Sequence, residues 1–155
     1  MGVSGCGKTT IAKLLSKKMD IPYFDADDFH PQQNIKKMIK GIGLDDHDRK
    51  PWLKSLNGRL KEWQKNKGAI VACSALKEKY RKTLTSGLDI QWIFLEGSIQ
   101  LIKNRLDHRK GHFMNAGLLQ SQFDCLEVPN YGTKICIDNS PENIVNELLT
   151  HVKNE

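Results

Sequence analysis

Residues 2–9 read GVSGCGKT and are the most informative segment of the sequence for its fold. It fits the pattern G-x-x-x-x-G-K-[ST], with Gly2, Gly7, Lys8 and Thr9 in the defining places. Glycines at such positions let successive backbone N–H groups turn inward around phosphate oxygens. At average residue usage, an accidental match in a chain of this length has a probability of about 1%. The stretch therefore predicts a phosphate-binding loop.

A helical pattern with one apolar face follows the loop over residues 8–19. A helix that begins there directs its N-terminal N–H groups and the positive end of its dipole at the same anion. Lys8 can then reach the β- and γ-phosphates of a nucleotide, and Thr9 can place its hydroxyl on Mg²⁺. We predict a site for ATP and Mg²⁺ made by the loop residues, which are Gly2, Val3, Ser4, Gly5, Cys6, Gly7, Lys8, Thr9 and Thr10.

A loop of this kind normally follows a buried β-strand, whereas only Met1 precedes Gly2 in this sequence. Without that strand, the neighbouring strands of a sheet would carry unpaired backbone groups. We therefore expect several more apolar residues ahead of Met1 in the natural protein.

Short apolar runs alternate with helical patterns along the rest of the chain, which is typical of an α/β fold with a parallel sheet. Pro51 marks either the first turn of a helix that begins near Asp45 and Asp46 or a break between two short helices. No linker or repeat interrupts the pattern, so we predict one domain over residues 1–155. The predicted strands cover residues 21–24, 69–73, 90–95 and 135–137, and the other helices cover 31–40, 77–85, 98–107, 118–126 and a final segment from Pro141.

The composition, with 39% hydrophobic and 27% charged residues, is that of a soluble globular protein. The sequence shows neither a signal peptide nor a membrane span, and its four cysteines form no CxxC pair, so we predict reduced thiols and a cytoplasmic location.

The net charge of +6 is spread along the chain and no nucleic-acid-binding motif accompanies it. We therefore expect neither nucleic acid nor membrane as a partner, and an anionic nucleotide and substrate account for part of the positive charge.

An acidic segment, residues 25–28 (DADD), comes directly after the predicted strand 21–24. The carboxyl ends of strands are where α/β proteins bind ligands. Two carboxylates two residues apart can have two different roles. One can hold a water molecule bound to Mg²⁺, and the other can accept a hydrogen bond from an attacking hydroxyl. The alternative is a solvated acidic turn that caps the next helix.

A GTPase would carry the pattern N-K-x-D, which recognises guanine. The nearest segment, residues 66–69, reads NKGA and lacks the aspartate, so the sequence does not favour a GTPase.

Six segments spread along nearly the whole chain carry a family resemblance: in order, they are GVSGCGKT, DADDFHPQQNIKKM, LDDHDRKPWL, CSALKEKYR, RKGHFM and LLQSQFDCLE. Together they resemble the small P-loop gluconokinases. The resemblance implies a shikimate-kinase-like P-loop NTPase fold, a three-layer α/β/α sandwich with a parallel sheet and a mobile lid over about residues 105–130. It also implies transfer of the ATP γ-phosphoryl group to the 6-hydroxyl of D-gluconate, an acidic sugar, and assembly as a homodimer.

The resemblance also assigns roles. Asp25 resembles the acid that orients Mg²⁺ through water, and Asp27 the acid that orients the substrate hydroxyl and could take its proton. Lys8, Asp27 and Arg105 are the implied catalytic residues, and His30 lies near the substrate. Arg105 and Arg109 lie where the lid supplies positive charge to the transferring phosphoryl group.

The remaining cations implied for the substrate are Arg49, Lys77 and Arg81. Arginine pairs with a carboxylate through two parallel hydrogen bonds, so Arg49 and Arg81 rank first. Each has a plainer alternative. Arg49 could pair with the aspartates around it, Lys77 and Arg81 could be surface cations of a short helix, and Arg105 could pair along its own helix.

Two other functions share some of these features. A kinase of another small hydroxy acid, such as shikimate, would have the same loop, acidic pair and basic pocket. A non-catalytic nucleotide-binding protein would have the loop alone, and the presence of Lys8, Thr9, Asp25, Asp27 and Arg105 argues against it.

Overall fold

A computed structural model describes residues 1–108 and 116–152. In chain order the elements are α1 (Lys8–Met19), β1 (Tyr23–Asp25), a 3₁₀ helix (Ala26–Phe29), α2 (Gln32–Ile39), α3 (Asp46–Gln64), β2 (Ile70–Ala72), α4 (Glu78–Thr85), β3 (Ile93–Glu96), α5 (Ile99–Asp107), α6 (Ala116–Cys125), β4 (Thr133–Cys136) and α7 (Pro141–Val152). The alternation predicted from the sequence is confirmed, with strand ends shifted by up to three residues. Among the described helices, none has the length and apolar character needed to cross a membrane.

Local capping chemistry sets the start of α3. The Asp45 side chain accepts a hydrogen bond from the Asp48 backbone N–H, and the Asp48 side chain accepts one from the Asp45 N–H. Both interpretations of Pro51 are wrong, because α3 runs without a break and Pro51 lies inside it. Proline removes one helical hydrogen bond. The buried side chains of Trp52 and Leu56, which follow Pro51, anchor the helix in spite of that loss.

The strands form two parallel pairs that lie between helices on both faces. β1 pairs with β2, and β3 pairs with β4. Successive strand residues point to opposite faces: Phe94 packs into a core with α3 and α4, whereas Leu95 packs into a core with α1, α5 and α7. This arrangement confirms the three-layer α/β/α fold and its parallel strands.

Met1 and Gly2 lie between the two strand pairs and bond to both. The Leu95 N–H donates to the Met1 carbonyl at 2.9 Å, and the Met1 amino group donates to the Ile93 carbonyl. On the other side, the Gly2 N–H donates to the Ser74 carbonyl at 3.3 Å, just beyond β2. In a central parallel strand, successive residues form hydrogen bonds to opposite neighbouring strands. Met1 and Gly2 follow this pattern, so they lie at the position of a strand between β2 and β3.

A cavity of about 310 Å³ continues from Met1 into that gap. Its walls include Ile70 and Val71 of β2 and Ile93 of β3, and its lining is mainly apolar. The facing edges of β2 and β3 therefore border an apolar slot, with Met1 at one end.

Candidate active site

The phosphate loop turns through glycines in backbone conformations that other residues rarely adopt. Gly5 has φ 83° and Gly7, which precedes α1, has φ 95°. Gly5 is also packed against α5: a Cβ atom added there would lie 2.9 Å from Leu106 Cγ and 3.0 Å from Ile102 Cγ2. The close contact with α5 fixes the loop in front of the N-terminus of α1.

Side chains inside and outside the loop hold its backbone. Lys8 Nζ donates to the Val3 carbonyl at 2.9 Å, which keeps the ammonium group at the loop. Gln122 of α6 makes two hydrogen bonds to Ser4: its Oε1 accepts from the backbone N–H at 2.7 Å, and its Nε2 donates to Oγ at 3.1 Å. Sequence reasoning missed Gln122, since it lies 118 residues away and carries no local signal.

The acidic segment meets the start of α1 at the same cleft. Thr9 Oγ1 donates to Asp25 Oδ2 at 3.0 Å, and the Asp27 N–H donates to Asp25 Oδ1 at 3.2 Å. Tyr23 OH also donates to Asp25 Oδ2, at 2.9 Å. Burial and then the hydrogen bond to Asp25 raise the pKa of Tyr23 to about 12, so it remains a donor at neutral pH. Tyr23 was missed, although its position two residues before Asp25 on one strand face was a usable signal.

Asp27 faces the cleft from the 3₁₀ helix, with 73% of its side chain exposed. The surrounding protein, then the Asp25 carboxylate, raise its pKa, while the Lys8 ammonium opposes the rise. Asp27 is therefore a carboxylate close to the phosphate loop that can accept a hydrogen bond from a bound hydroxyl.

The cleft itself has a volume of about 550 Å³ and contains all three predicted catalytic groups, Lys8, Asp27 and Arg105. Its other end is formed by the turn after β4, with Asn139 and Pro141. The Arg105 guanidinium donates to the Ile137 carbonyl, and the ion pairs of the described residues do not involve Arg105. Arg109 lies outside the described residues, as does part of the predicted lid.

His30 packs behind Asp27, with its imidazole stacked on the Trp52 ring at 4.1 Å and 19°. Burial, and then the nearby positive charge of Arg49, lower the pKa of His30 to about 4. The ring is therefore neutral at physiological pH, which makes it unsuited to carry a proton between groups.

Arg49 and Lys77 lie around one aromatic ring, that of Tyr80. The Arg49 guanidinium carbon is 5.6 Å from the ring centre and Lys77 Nζ is 5.8 Å from it. Arg49 donates to the carbonyl groups of Leu44 and Asp45, whereas Lys77 Nζ lies 3.5 Å from an Asp46 carboxylate oxygen. The two cations thus form a basic wall around Tyr80, and Arg49 is the member of it that lies near His30.

Arg81, by contrast, lies in the protein interior, where it is 1% exposed. Its guanidinium donates to the carbonyls of Ala75 at 2.8 Å, Leu76 at 3.1 Å and Glu127 at 2.7 Å, and it pairs with Glu78 at 2.9 Å. These bonds join α4 to two loops and turn Arg81 away from the cleft. The structure therefore does not bring Arg81 together with the other substrate-site candidates.

The oxygen atoms available beside the loop suit Mg²⁺. Thr9 and Asp25 offer a hydroxyl and a carboxylate, and the described residues hold no cluster of three or more His, Cys, Asp or Glu side chains that would form a complete metal cage. Mg²⁺ usually binds through one or two carboxylates together with waters and substrate phosphates. Thr9 and Asp25 are thus the described residues that fit the ion.

Comparison with known proteins identifies the family of the chain. Residues 4–153 match the shikimate kinase family model. The chain is 42% identical to a probable gluconokinase of Dictyostelium discoideum, over 99% of this chain and 84% of the relative, and 38% identical to the thermoresistant gluconokinase of Escherichia coli, over 99% and 91%.

A similar solved structure is that of a gluconokinase from Sinorhizobium meliloti. It superposes with a TM-score of 0.90 at 36% identity and covers 99% of this chain and 89% of its own. The chain therefore belongs to the shikimate kinase family, and within that family to the gluconokinases.

Proposed function

We propose that this protein transfers the γ-phosphoryl group of ATP to the 6-hydroxyl of D-gluconate, with Mg²⁺ as the metal ion. The observation that carries the proposal is the meeting of the phosphate loop with the acidic segment in one cleft, through the hydrogen bond from Thr9 to Asp25. The full-length similarity to gluconokinases supports the choice of acceptor.

Phosphoryl transfer requires little covalent chemistry from the protein, because catalysis depends on positioning the two substrates and on stabilising negative charge in the transition state. The loop N–H groups and Lys8 hold the phosphates, and Asp27 accepts the hydrogen bond of the attacking hydroxyl and takes its proton. Arg105 and Arg109 add positive charge as the bond to the leaving phosphate breaks. Mg²⁺, when bound beside Thr9 and Asp25, neutralises charge on the β- and γ-phosphates.

The acceptor site that we propose extends from Asp27 towards the basic wall. Arg49 and Lys77 are the groups we assign to the gluconate carboxylate, and His30, with Nε2 3.8 Å from Asp27 Oδ1, lies close to Arg49. Arg81 is left out of this assignment, because its hydrogen-bonding groups are used inside the protein. Shikimate is also an anionic polyol, so the choice between the two acids depends on shape as well as charge.

ADP release from Mg-ATP tests the proposal with D-gluconate, its epimers and shikimate as acceptors. We expect turnover with D-gluconate and a loss of about 10²–10⁴-fold in Asp27→Asn, the usual effect of removing a general base. Asp28→Asn is the matched control, since it removes a neighbouring carboxylate from the same 3₁₀ helix. A protein that binds ATP but phosphorylates none of the acids contradicts the proposal.

The cytoplasmic location and the homodimer also remain proposals. All four cysteines are free, as a reducing compartment requires. Light scattering on the purified protein would test the dimer.

A further inference from the structure

The amide of Asn34 lies between α3 and the imidazole of His30, and it is 2% exposed. Its Nδ2 atom donates to the Asp48 backbone carbonyl at 2.9 Å. A carbonyl oxygen only accepts hydrogen bonds, so this contact fixes which end of the amide is the nitrogen. The orientation of Asn34 is therefore set by a backbone group of α3.

The same Nδ2 atom lies 3.3 Å from His30 Nδ1. Because an amide nitrogen can only donate, Nδ1 must act as the acceptor, and a neutral imidazole then carries its proton on Nε2. Nε2 lies 3.8 Å from Asp27 Oδ1. That distance is longer than a hydrogen bond, yet such contacts often tighten only when substrate binds, and the exposed Asp27 side chain has room to rotate.

Trp52 supports the same two residues from the other side. Its ring stacks on His30, and its Nε1–H donates at 3.0 Å to the carbonyl of Ala26, the residue before Asp27. The backbone that carries Asp27 and the ring that faces it are thus both held by one buried side chain of α3.

We propose that Asn34 selects the Nε2–H tautomer of His30, and that this N–H holds Asp27 Oδ1 so that Oδ2 faces the substrate hydroxyl. Asn34 and His30 are then positioning residues, with His30 acting as a hydrogen-bond donor. The inference rests on the proposed function, since it concerns how Asp27 is held for that reaction.

The first measurement is independent of activity. The ¹⁵N chemical shifts of the His30 ring in the full chain at neutral pH distinguish a protonated Nε2 from a protonated Nδ1. We expect protonated Nε2 and bare Nδ1. The opposite tautomer would overturn the proposal, even if gluconate were turned over.

The second measurement compares two substitutions of His30. A glutamine amide nitrogen reaches the position of Nε2, whereas an asparagine amide nitrogen lies nearer that of Nδ1. We expect His30→Gln to retain most of kcat and His30→Asn to lose about tenfold, the effect of one hydrogen bond to a charged group, with the KM for ATP unchanged in both. Equal loss in both variants, or a rise in the KM for ATP, would indicate a merely structural role.

The third measurement tests the part played by Asn34. Asn34→Asp replaces the donor beside Nδ1 with an acceptor, which favours the other tautomer and should lower kcat about tenfold in the native protein. In the His30→Gln background the same substitution should have no further effect on kcat. An equal fold-loss in both backgrounds contradicts the proposal, and if Asn34→Asp does not fold, the ring shifts and the His30 pair decide it.

Discussion

Thr9 Oγ1 donates a 3.0 Å hydrogen bond to Asp25 Oδ2, which joins the first turn of α1 to the end of β1. The residue that follows the loop lysine and the first acid of the acidic segment are therefore neighbours, although 16 positions separate them. Two oxygen groups held together beside the phosphate loop are what a Mg²⁺ ion shared with substrate phosphates requires.

Asp25→Asn should raise the Mg²⁺ concentration needed for half-maximal turnover. Loss of a residue that orients a metal or its waters costs about 10–100-fold in metal affinity or activity. The turnover rate at saturating ATP, measured over a series of Mg²⁺ concentrations, gives this half-maximal concentration for each variant. Tyr23→Phe is the control, since it removes a hydrogen bond to the same oxygen and keeps the charge, and it should shift the titration less. Equal titrations for Asp25→Asn and the native protein would remove Asp25 from the metal site.

Gly5→Ala should lower the free energy of unfolding more than Gly7→Ala does. Both glycines have positive φ, where a side chain costs about 1–2 kcal/mol. Only at Gly5 would the new methyl also meet Leu106 and Ile102, whereas at Gly7 it would meet nothing within 4 Å. Urea denaturation of the two variants measures the difference. Equal destabilisation of the Gly5→Ala and Gly7→Ala variants would mean that close packing against α5 does not restrict the residue at position 5.

Arg81→Met should destabilise the fold by several kcal/mol, because each buried carbonyl left without a donor costs about 1–3 kcal/mol. Lys77→Met should change the free energy of unfolding by less than about 1 kcal/mol, as expected for a partly exposed ion pair, and should raise the KM for gluconate. Thermal unfolding and steady-state kinetics on the two variants separate the roles. A raised KM for gluconate in a fully stable Arg81→Met variant would return Arg81 to the substrate site.

The stability should fall as the pH falls through the range in which His30 titrates. The pKa of His30 is 6.5 in the unfolded chain and about 4 when folded. Below pH 6.5 the unfolded state therefore binds a proton that the folded state does not. The free energy of unfolding falls as a result, by up to about 3 kcal/mol near pH 4. Urea denaturation at pH 7 and pH 4.5 should show a larger drop for the native protein than for His30→Gln. Equal drops would mean that burial does not suppress His30 protonation.

An apolar segment of about five residues fused ahead of Met1 should stabilise the protein by entering the slot between β2 and β3. Each buried aliphatic side chain contributes about 1.5–3 kcal/mol, and ordering each residue costs about 1–2 kcal/mol. We therefore expect a higher Tm, whereas a fused segment of glycine and lysine of equal length should leave it unchanged. Equal effects of the two segments would show that the slot does not take a strand.

Features that depend on short stretches of chain could be predicted from the sequence. The helix over residues 8–19 was predicted with its observed ends, since an amphipathic pattern and a glycine before it act locally. The order of strands and helices, the loop and the acidic segment followed in the same way, and the family resemblance supplied roles for individual residues.

Contacts between side chains that lie far apart in the sequence could not be predicted in this way, because they depend on how the helices and strands pack. Arg81 and Arg49 look alike as cations in the sequence, yet one is buried among carbonyl groups and the other is part of the basic wall. Gln122 reaches Ser4 and Asn34 reaches Asp48 because helix packing brings distant segments together. A hydrogen bond between residues far apart in the chain has no local pattern, because its geometry depends on every element packed between them.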